Sequence, residues 1–192
     1  TAIYYIDFSF DNFQLGGSAF AQSLGKIGKT APTVKDSEYF VSAFNTIQEL
    51  IEKDLILAGH DISAGGMITA LLEMNFGNPE GGLEINLDKI AEKDIIKILF
   101  SENPGVLIQV KDKNSVEKIL QNNGIGFSKI GRPCKERHIL VKKDNAEYQF
   151  GIDYLRDVWF SSSYLLDRKQ SGEKAAAARF NNYKEQPLQI KF

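Results

Sequence analysis

A carboxylate, a hydroxyl and two glycines fall close together at Asp61, Ser63, Gly65 and Gly66, in the stretch LILAGHDISAGGMITALLEMNF at residues 55–76. The apolar run at 55–58 is short enough for a buried strand, and the run from Gly66 towards Phe76 is long enough for a three-turn helix. The polar cluster of His60, Asp61 and Ser63 is therefore expected at a strand-to-helix turn. A helix starting there presents unpaired backbone N–H groups and the positive end of its dipole, and glycine admits the close approach of another backbone or a phosphate. Mg2+ takes oxygen ligands, commonly one or two carboxylates plus the phosphate itself. This makes Asp61 a candidate metal ligand, with Ser63, Gly65 and Gly66 as candidate nucleotide contacts. A packing reading stands beside this one, in which Asp61 or Ser63 caps the helix and the glycines only permit tight helix contact. Neither standard phosphate loop is present: there is no G-x-x-x-x-G-K-[ST], and no G-x-G-x-x-G opens a helix after a strand.

Other chemistries find less support. His60 and His138 are the only histidines and Cys134 the only cysteine, which excludes a structural zinc site and an internal disulfide. Neither histidine has the local context of an activated Ser or Cys. His60 reads either as an acid or base beside Asp61 or as a buried histidine donating to a backbone carbonyl. Glu73 and Glu84 lack a carboxylate partner at a telling spacing. Charges at 111–113 and 135–137 read as solvated turns. Cysteine use fits a reducing compartment, so a cytoplasmic protein is expected.

At 192 residues, 43% of them hydrophobic, the chain can fill the core of one ordinary domain, with or without an extension. Its 23 Lys+Arg against 25 Asp+Glu leave no electrostatic footprint for nucleic acid or an anionic membrane. No segment approaches the roughly twenty apolar residues needed to span a bilayer. The sequence opens at Thr1 inside a strand-like pattern, as a piece of a longer polypeptide would, although removal of an initiator methionine leaves the same start.

The elements that must position the turn follow in order. IYYIDF at 3–8 predicts a strand, and Gly16-Gly17-Ser18 leads into a short helix at 19–24, a glycine-opened start with no acid directly beside it. An amphipathic helix is expected at 37–53, with Phe40, Val41, Phe44, Ile47, Leu50 and Ile51 on its packed face. After the central turn come a loop at 77–82, a strand at 83–87, a helix at 88–100 with Ile95, Ile96 and Leu99 inward, and a strand at 106–110. Asn114 and Glu117 resemble a capping box for the next helix. Strands at 127–130, 138–141 and 148–150 follow, the last two joined by an Asp144-Asn145 hairpin turn. Residues 152–168 read as a helix. Beyond Gln170 an exposed helix and a linker are expected, whose Phe180, Tyr183, Leu188, Ile190 and Phe192 need a partner surface. Early alternation and a late hairpin argue for an α/β (α+β) layered α/β/α sandwich with a mixed sheet.

The run HDISAGGMITALLEMNFG, with LGGSAFAQSLGKIG upstream and PGVLIQV downstream, resembles the C-terminal domain of the aminoimidazole ribonucleotide synthetase superfamily over nearly the whole chain. Within it the order and spacing of the three motifs are most similar to the second such domain of the large, single-chain amidine-forming synthases of purine biosynthesis. The segment DYLRDVWFSSSYLLDRKQ resembles the part that leads there towards a glutaminase domain. The resemblance implies a fold of that domain type at 1–158 and a linker or extension at 159–192. It also implies a role in the ATP- and glutamine-dependent conversion of formylglycinamide ribonucleotide to the amidine. By the same resemblance Asp61 is a ligand of Mg2+, Ser63 contacts ATP or ADP, and the nucleotide site is shared with an N-terminal synthetase-like domain of the same polypeptide. Many members carry an acid where this chain has Ala64, which weakens a second-ligand role at the turn. No catalytic residue is implied within these residues, and in isolation they are expected to be inactive. Two alternatives stay open: the related domain of a selenophosphate synthetase or thiamine monophosphate kinase, and a non-catalytic scaffold.

Overall fold

The computed structural model describes residues 1–182 and residue 185. Tyr183, Leu188, Ile190 and Phe192 lie outside the described residues. Seven strands form one mixed sheet: β1 (Ala2–Asp7), β2 (Ile56–Asp61), β3 (Gly82–Asn86), β4 (Gly105–Val110), β5 (Phe127–Cys134), β6 (His138–Lys143) and β7 (Ala146–Gly151). Their order is β2-β4-β1-β5-β3-β6-β7, and among the described residues the only parallel pairing is β3 with β6. The helices are α1 (Ala19–Ser23), α2 (Ser37–Glu52), α3 (Gly66–Phe76), α4 (Ile95–Phe100), α5 (Lys113–Asn122), α6 (Ile152–Ser171) and α7 (Glu173–Asn181).

Strand β1 shows why two helical layers are needed. Every residue from Ala2 to Ile6 is buried, and alternate side chains of a strand point to opposite faces. Ile3 and Tyr5 pack with Met67, Leu71 and Leu107 under α3 and α4. Tyr4 and Ile6 pack with Ala43, Leu50, Val116 and Leu120 under α2 and α5. The α/β/α sandwich expected from the sequence is thus present, with the sheet as its middle layer. α3 is apolar on nearly all sides because it lies between the sheet, α4 and α6.

Burial, with Glu117 hydrogen-bonded to the phenol of Tyr4, raises the pKa of Tyr4; burial, with Asp7 nearby, does the same for Tyr5. The folded state therefore holds these protons more tightly than the unfolded chain does. Their contribution to stability is complete below the ordinary tyrosine value of 10.0 and is lost as the pH rises beyond it. Denaturant midpoints are expected to fall above that pH, with tyrosinate absorbance from this pair appearing only with unfolding.

Several elements differ from expectation for local reasons. The helix expected at 88–100 begins only at Ile95, because Glu92 accepts the N–H groups of Lys93 and Asp94 while Asp94 caps Ile96. This turn buries Ile90 and leaves Ile96 partly exposed. α5 is capped by Asp112, not by Asn114, and Glu117 serves Tyr4 instead of a capping box. α2 buries the line Ala43, Thr46, Ile47 and Leu50, leaving Val41, Phe44 and Ile51 half exposed on a second apolar stripe. Arg137 is no solvated turn residue: it donates to Asp153 at 2.9 Å and to the carbonyls of Asn75 and Gly81. It thereby ties the start of α6 to the loop after α3.

α6 runs unbroken across residues 158 and 159 and folds back against α7. Arg156, buried on α6, stacks on Phe160 and Phe180 and donates to the Phe180 carbonyl at 2.8 Å. Tyr164 packs on the same Phe180 ring. Phe180 therefore finds its partner within this chain.

Candidate functional site

Strand β2 is longer than the sequence suggested and carries both His60 and Asp61, with Asp61 opposite Val106 of β4. Adjacent strand residues face opposite sides, yet the two polar ends stay close, with His60 Nδ1 3.7 Å from Asp61 Oδ1. His60 points to the α3 and α6 side, where it lines a cavity of about 350 Å3 with Glu73, Phe76, Trp159 and Phe160. Its Nδ1 lies 2.7 Å from the Asp61 carbonyl and its Nε2 3.3 Å from a Glu73 carboxylate oxygen. The backbone contact is of the kind the second reading of His60 required, but the ring is half-buried and also faces two carboxylates. The Asp61 side chain is 79% exposed. It borders an open cavity of about 300 Å3 whose walls include Phe8, Phe40, Phe44, Pro104 and Gly105.

The chain then turns. Buried Ile62 donates its N–H to the Gly105 carbonyl, and the Gly66 N–H closes back on the Ser63 carbonyl at 3.0 Å. Ser63 and Ala64 are exposed at the tip. Gly65, at φ +89°, occupies the N-cap of α3 with no side chain capping it. The capping role weighed for Asp61 or Ser63 is therefore not used, and both side chains are left facing outward. Gly66, at φ +74°, supports the packing reading for its own position. A Cβ there would stand 2.6 Å from the Leu99 carbonyl oxygen and 2.7 Å from Phe100 Cα, so glycine is what lets α3 touch the end of α4.

The residue that sequence reasoning missed is Glu102. One of its carboxylate oxygens, Oε1, accepts the Gly65 N–H at 2.9 Å and the Ala19 N–H at 2.7 Å. The two glycine-opened helix starts, expected to carry free amides and no acid for α1, share one acid contributed by the loop after α4. Its neighbours anchor that loop. Ser101 and Asn103 are both buried, and Asn103 donates to Ser9 Oγ at 3.1 Å and to the Asn12 carbonyl at 3.0 Å. Gln14 donates its N–H to both Ser101 and Asn103. A helix stop, Glu102-Asn103-Pro104-Gly105, was visible in the sequence, but nothing in it pointed to residues 19 and 65.

Among the described residues no group of three or more His, Cys, Asp or Glu side chains is arranged to hold a metal. Asp61 offers the donor type such an ion accepts: its carboxylate faces solvent at the end of a strand, and Mg2+ takes one or two carboxylates with phosphate and water completing its shell. Among the described residues no helix is long and apolar enough to cross a membrane.

Residues 11–143 match the family model described as AIR synthase related protein, C-terminal domain, and the chain belongs to that family. It is similar to the protein of Arabidopsis thaliana named probable phosphoribosylformylglycinamidine synthase, chloroplastic/mitochondrial, at 34% identity over 86% of this chain and 12% of the plant protein. It is also similar to human phosphoribosylformylglycinamidine synthase, at 29% identity over 94% of this chain and 14% of the human protein. The chain thus spans about one eighth of the length of these relatives. Among solved structures, PurL of Thermotoga maritima shares the fold over 81% of this chain. Complexed with FGAR it gives a TM-score of 0.63 at 18% identity over 27% of that chain; complexed with ATP, 0.61 at 16% over 25%. The family match ends at β6, so β7, α6 and α7 lie beyond it.

Proposed function

We propose that this chain is one domain of a phosphoribosylformylglycinamidine synthase, which carries out the ATP- and glutamine-dependent amidation of formylglycinamide ribonucleotide in purine biosynthesis. Its part is one wall of a Mg-nucleotide site. The names of the plant and human relatives support the enzyme, and the PurL complexes with ATP, ADP and AMPPCP support the nucleotide. The observation that carries the site is the outward-facing Asp61 carboxylate at the end of β2, beside a turn whose serine is likewise exposed and caps nothing.

In this reading Asp61 coordinates Mg2+ and Ser63 hydrogen-bonds the nucleotide, while Gly65 and Gly66 shape the turn between them. The bound metal supplies charge neutralisation for the phosphates. A single carboxylate leaves most of the metal's shell to other donors; in this reading an N-terminal synthetase-like domain of the same polypeptide supplies them, and a glutaminase domain supplies ammonia. The catalytic groups lie in those domains. The single, half-buried Cys134 accords with a reducing compartment, the cytoplasm in this proposal.

In the complete protein, Asp61→Ala is expected to lower nucleotide retained through purification and Mg-ATP affinity by roughly tenfold or more, the scale of one lost charge-assisted contact. Amidine formation should fall with it. Unchanged nucleotide content and unchanged turnover would end the nucleotide reading.

A further inference from the structure

We propose that the cavity between α3 and α6 is a binding site for a small molecule carrying a guanidinium-type cation. The proposal goes beyond the nucleotide reading and does not rest on it. His60, Glu73, Phe76, Trp159, Phe160 and Ser163 line about 350 Å3. Small-molecule sites span about 300–1,000 Å3 and combine mostly apolar walls with a few polar groups, and this cavity has both. One wall is α6, which lies beyond the family match at residues 11–143, so the matched region alone does not form it.

The polar end of the cavity is short of a hydrogen. A carbonyl oxygen only accepts, so His60 Nδ1, 2.7 Å from the Asp61 carbonyl, carries a proton. In the neutral ring Nε2 is then an acceptor, and it faces a Glu73 carboxylate oxygen at 3.3 Å. Two acceptors held that close call for a donor between them. Among the described residues no lysine or arginine pairs with Glu73, whose side chain is largely buried. A second proton on the ring would supply one donor but would leave the rings of Trp159 and Phe160 bare, at 53% and 40% exposure. A planar cation answers both: it donates to Glu73 and His60 and covers the rings through cation–π contact. The same aromatic cluster already holds one guanidinium. Arg156 Cζ lies 4.7 Å from the Phe160 ring centroid and 4.9 Å from that of Phe180, while the Phe180 carbonyl accepts from its Nη1 at 2.8 Å. The cavity repeats that combination, with Phe76 and Trp159 beside Phe160 at centroid distances of 6.2 and 6.3 Å and a carboxylate as the acceptor. An ammonium ion, compact and strongly hydrated, matches such walls less well.

The test uses the complete protein labelled with fluorotryptophan, in which the fluorine NMR signal of Trp159 is assigned by its loss in Trp159→Phe. Nα-acetyl-arginine amide is titrated against Nα-acetyl-citrulline amide, a neutral isostere that keeps the shape and replaces the guanidinium by urea. A saturable shift of the Trp159 signal is expected with the arginine compound, and roughly tenfold or more weaker binding of the citrulline compound. Glu73→Gln keeps the shape of the side chain and removes its charge, and should weaken the arginine compound roughly tenfold or more. No shift, or equal affinity for the two compounds, overturns the proposal in the wild-type protein. Undiminished arginine binding in Glu73→Gln overturns it as well. Should that variant show a lowered unfolding midpoint, the wild-type contrast between the two compounds decides.

Discussion

Gly66→Ala is expected to lower the unfolding free energy by about 3 kcal/mol or more, combining left-handed backbone strain of about 1–2 kcal/mol with overpacking of about 1–3 kcal/mol. The new methyl would be driven into backbone, against the Leu99 carbonyl oxygen at 2.6 Å and Phe100 Cα at 2.7 Å. Backbone cannot rotate out of the way as a flexible side-chain end can, so α3 and α4 must separate. Separation moves the Gly65 N–H away from Glu102 and shifts Ser63 and Asp61, so nucleotide affinity in the complete protein should fall with stability. Gly17→Ala is the control. It has a similar φ of +75° but nothing within 4 Å of the added Cβ, so only the strain cost of about 1–2 kcal/mol is expected. Denaturant titration of the two variants checks the difference; equal losses would mean that the α3–α4 contact contributes nothing.

Asn103→Ala should cost about 3–4 kcal/mol, because a buried donor or acceptor left without a partner costs about 1–3 kcal/mol and several are stranded together. The side chain donates to Ser9 Oγ and the Asn12 carbonyl and accepts from the Gln14 N–H and the Ser101 hydroxyl. Removing it frees the segment between β1 and α1 from the loop that carries Glu102. Asn103→Asp separates bonding from volume: the shape is kept, but the donors to Ser9 and Asn12 are lost and a buried carboxylate takes their place. An equal or larger loss in Asn103→Asp is expected, read as the shift in denaturant midpoint at constant slope. Wild-type stability in the aspartate variant would show the hydrogen bonds to be unimportant.

Local signals carried much of this architecture. The aromatic and β-branched residues at 3–8 announced the strand β1, and Asp144 at φ +53° makes the hairpin turn that its sequence suggested. The strand-to-helix turn was legible because an apolar run at 55–58 is followed by a polar, glycine-containing cluster, although His60 and Asp61 belong to the strand and not to the turn. Glu102 was not legible, since its partners lie 37 and 83 residues away and no periodicity links them. Arg137 was misread for the same reason: a cation between charged neighbours looks solvated until α6 delivers Asp153 to it. The late start of α4 followed from a contest among acids, where Glu92 and Asp94 bond nearby amides and so favour a turn followed by a cap over continuous helix.

The two ends of the sheet are unequally finished. β7 bears Glu147, paired with Lys142, and passes directly into α6. β2 offers Ile56, Leu57 and Ala58 along its outer edge, with Leu57 53% exposed and neither lysine nor proline in the strand. An edge of that kind invites another strand to add to it. Two molecules joined β2 to β2 would use up this edge on both and leave β7, with its Lys142–Glu147 pair, as the outer strand at each end. Self-association by this route would stop at a closed pair and would not propagate into a fibre.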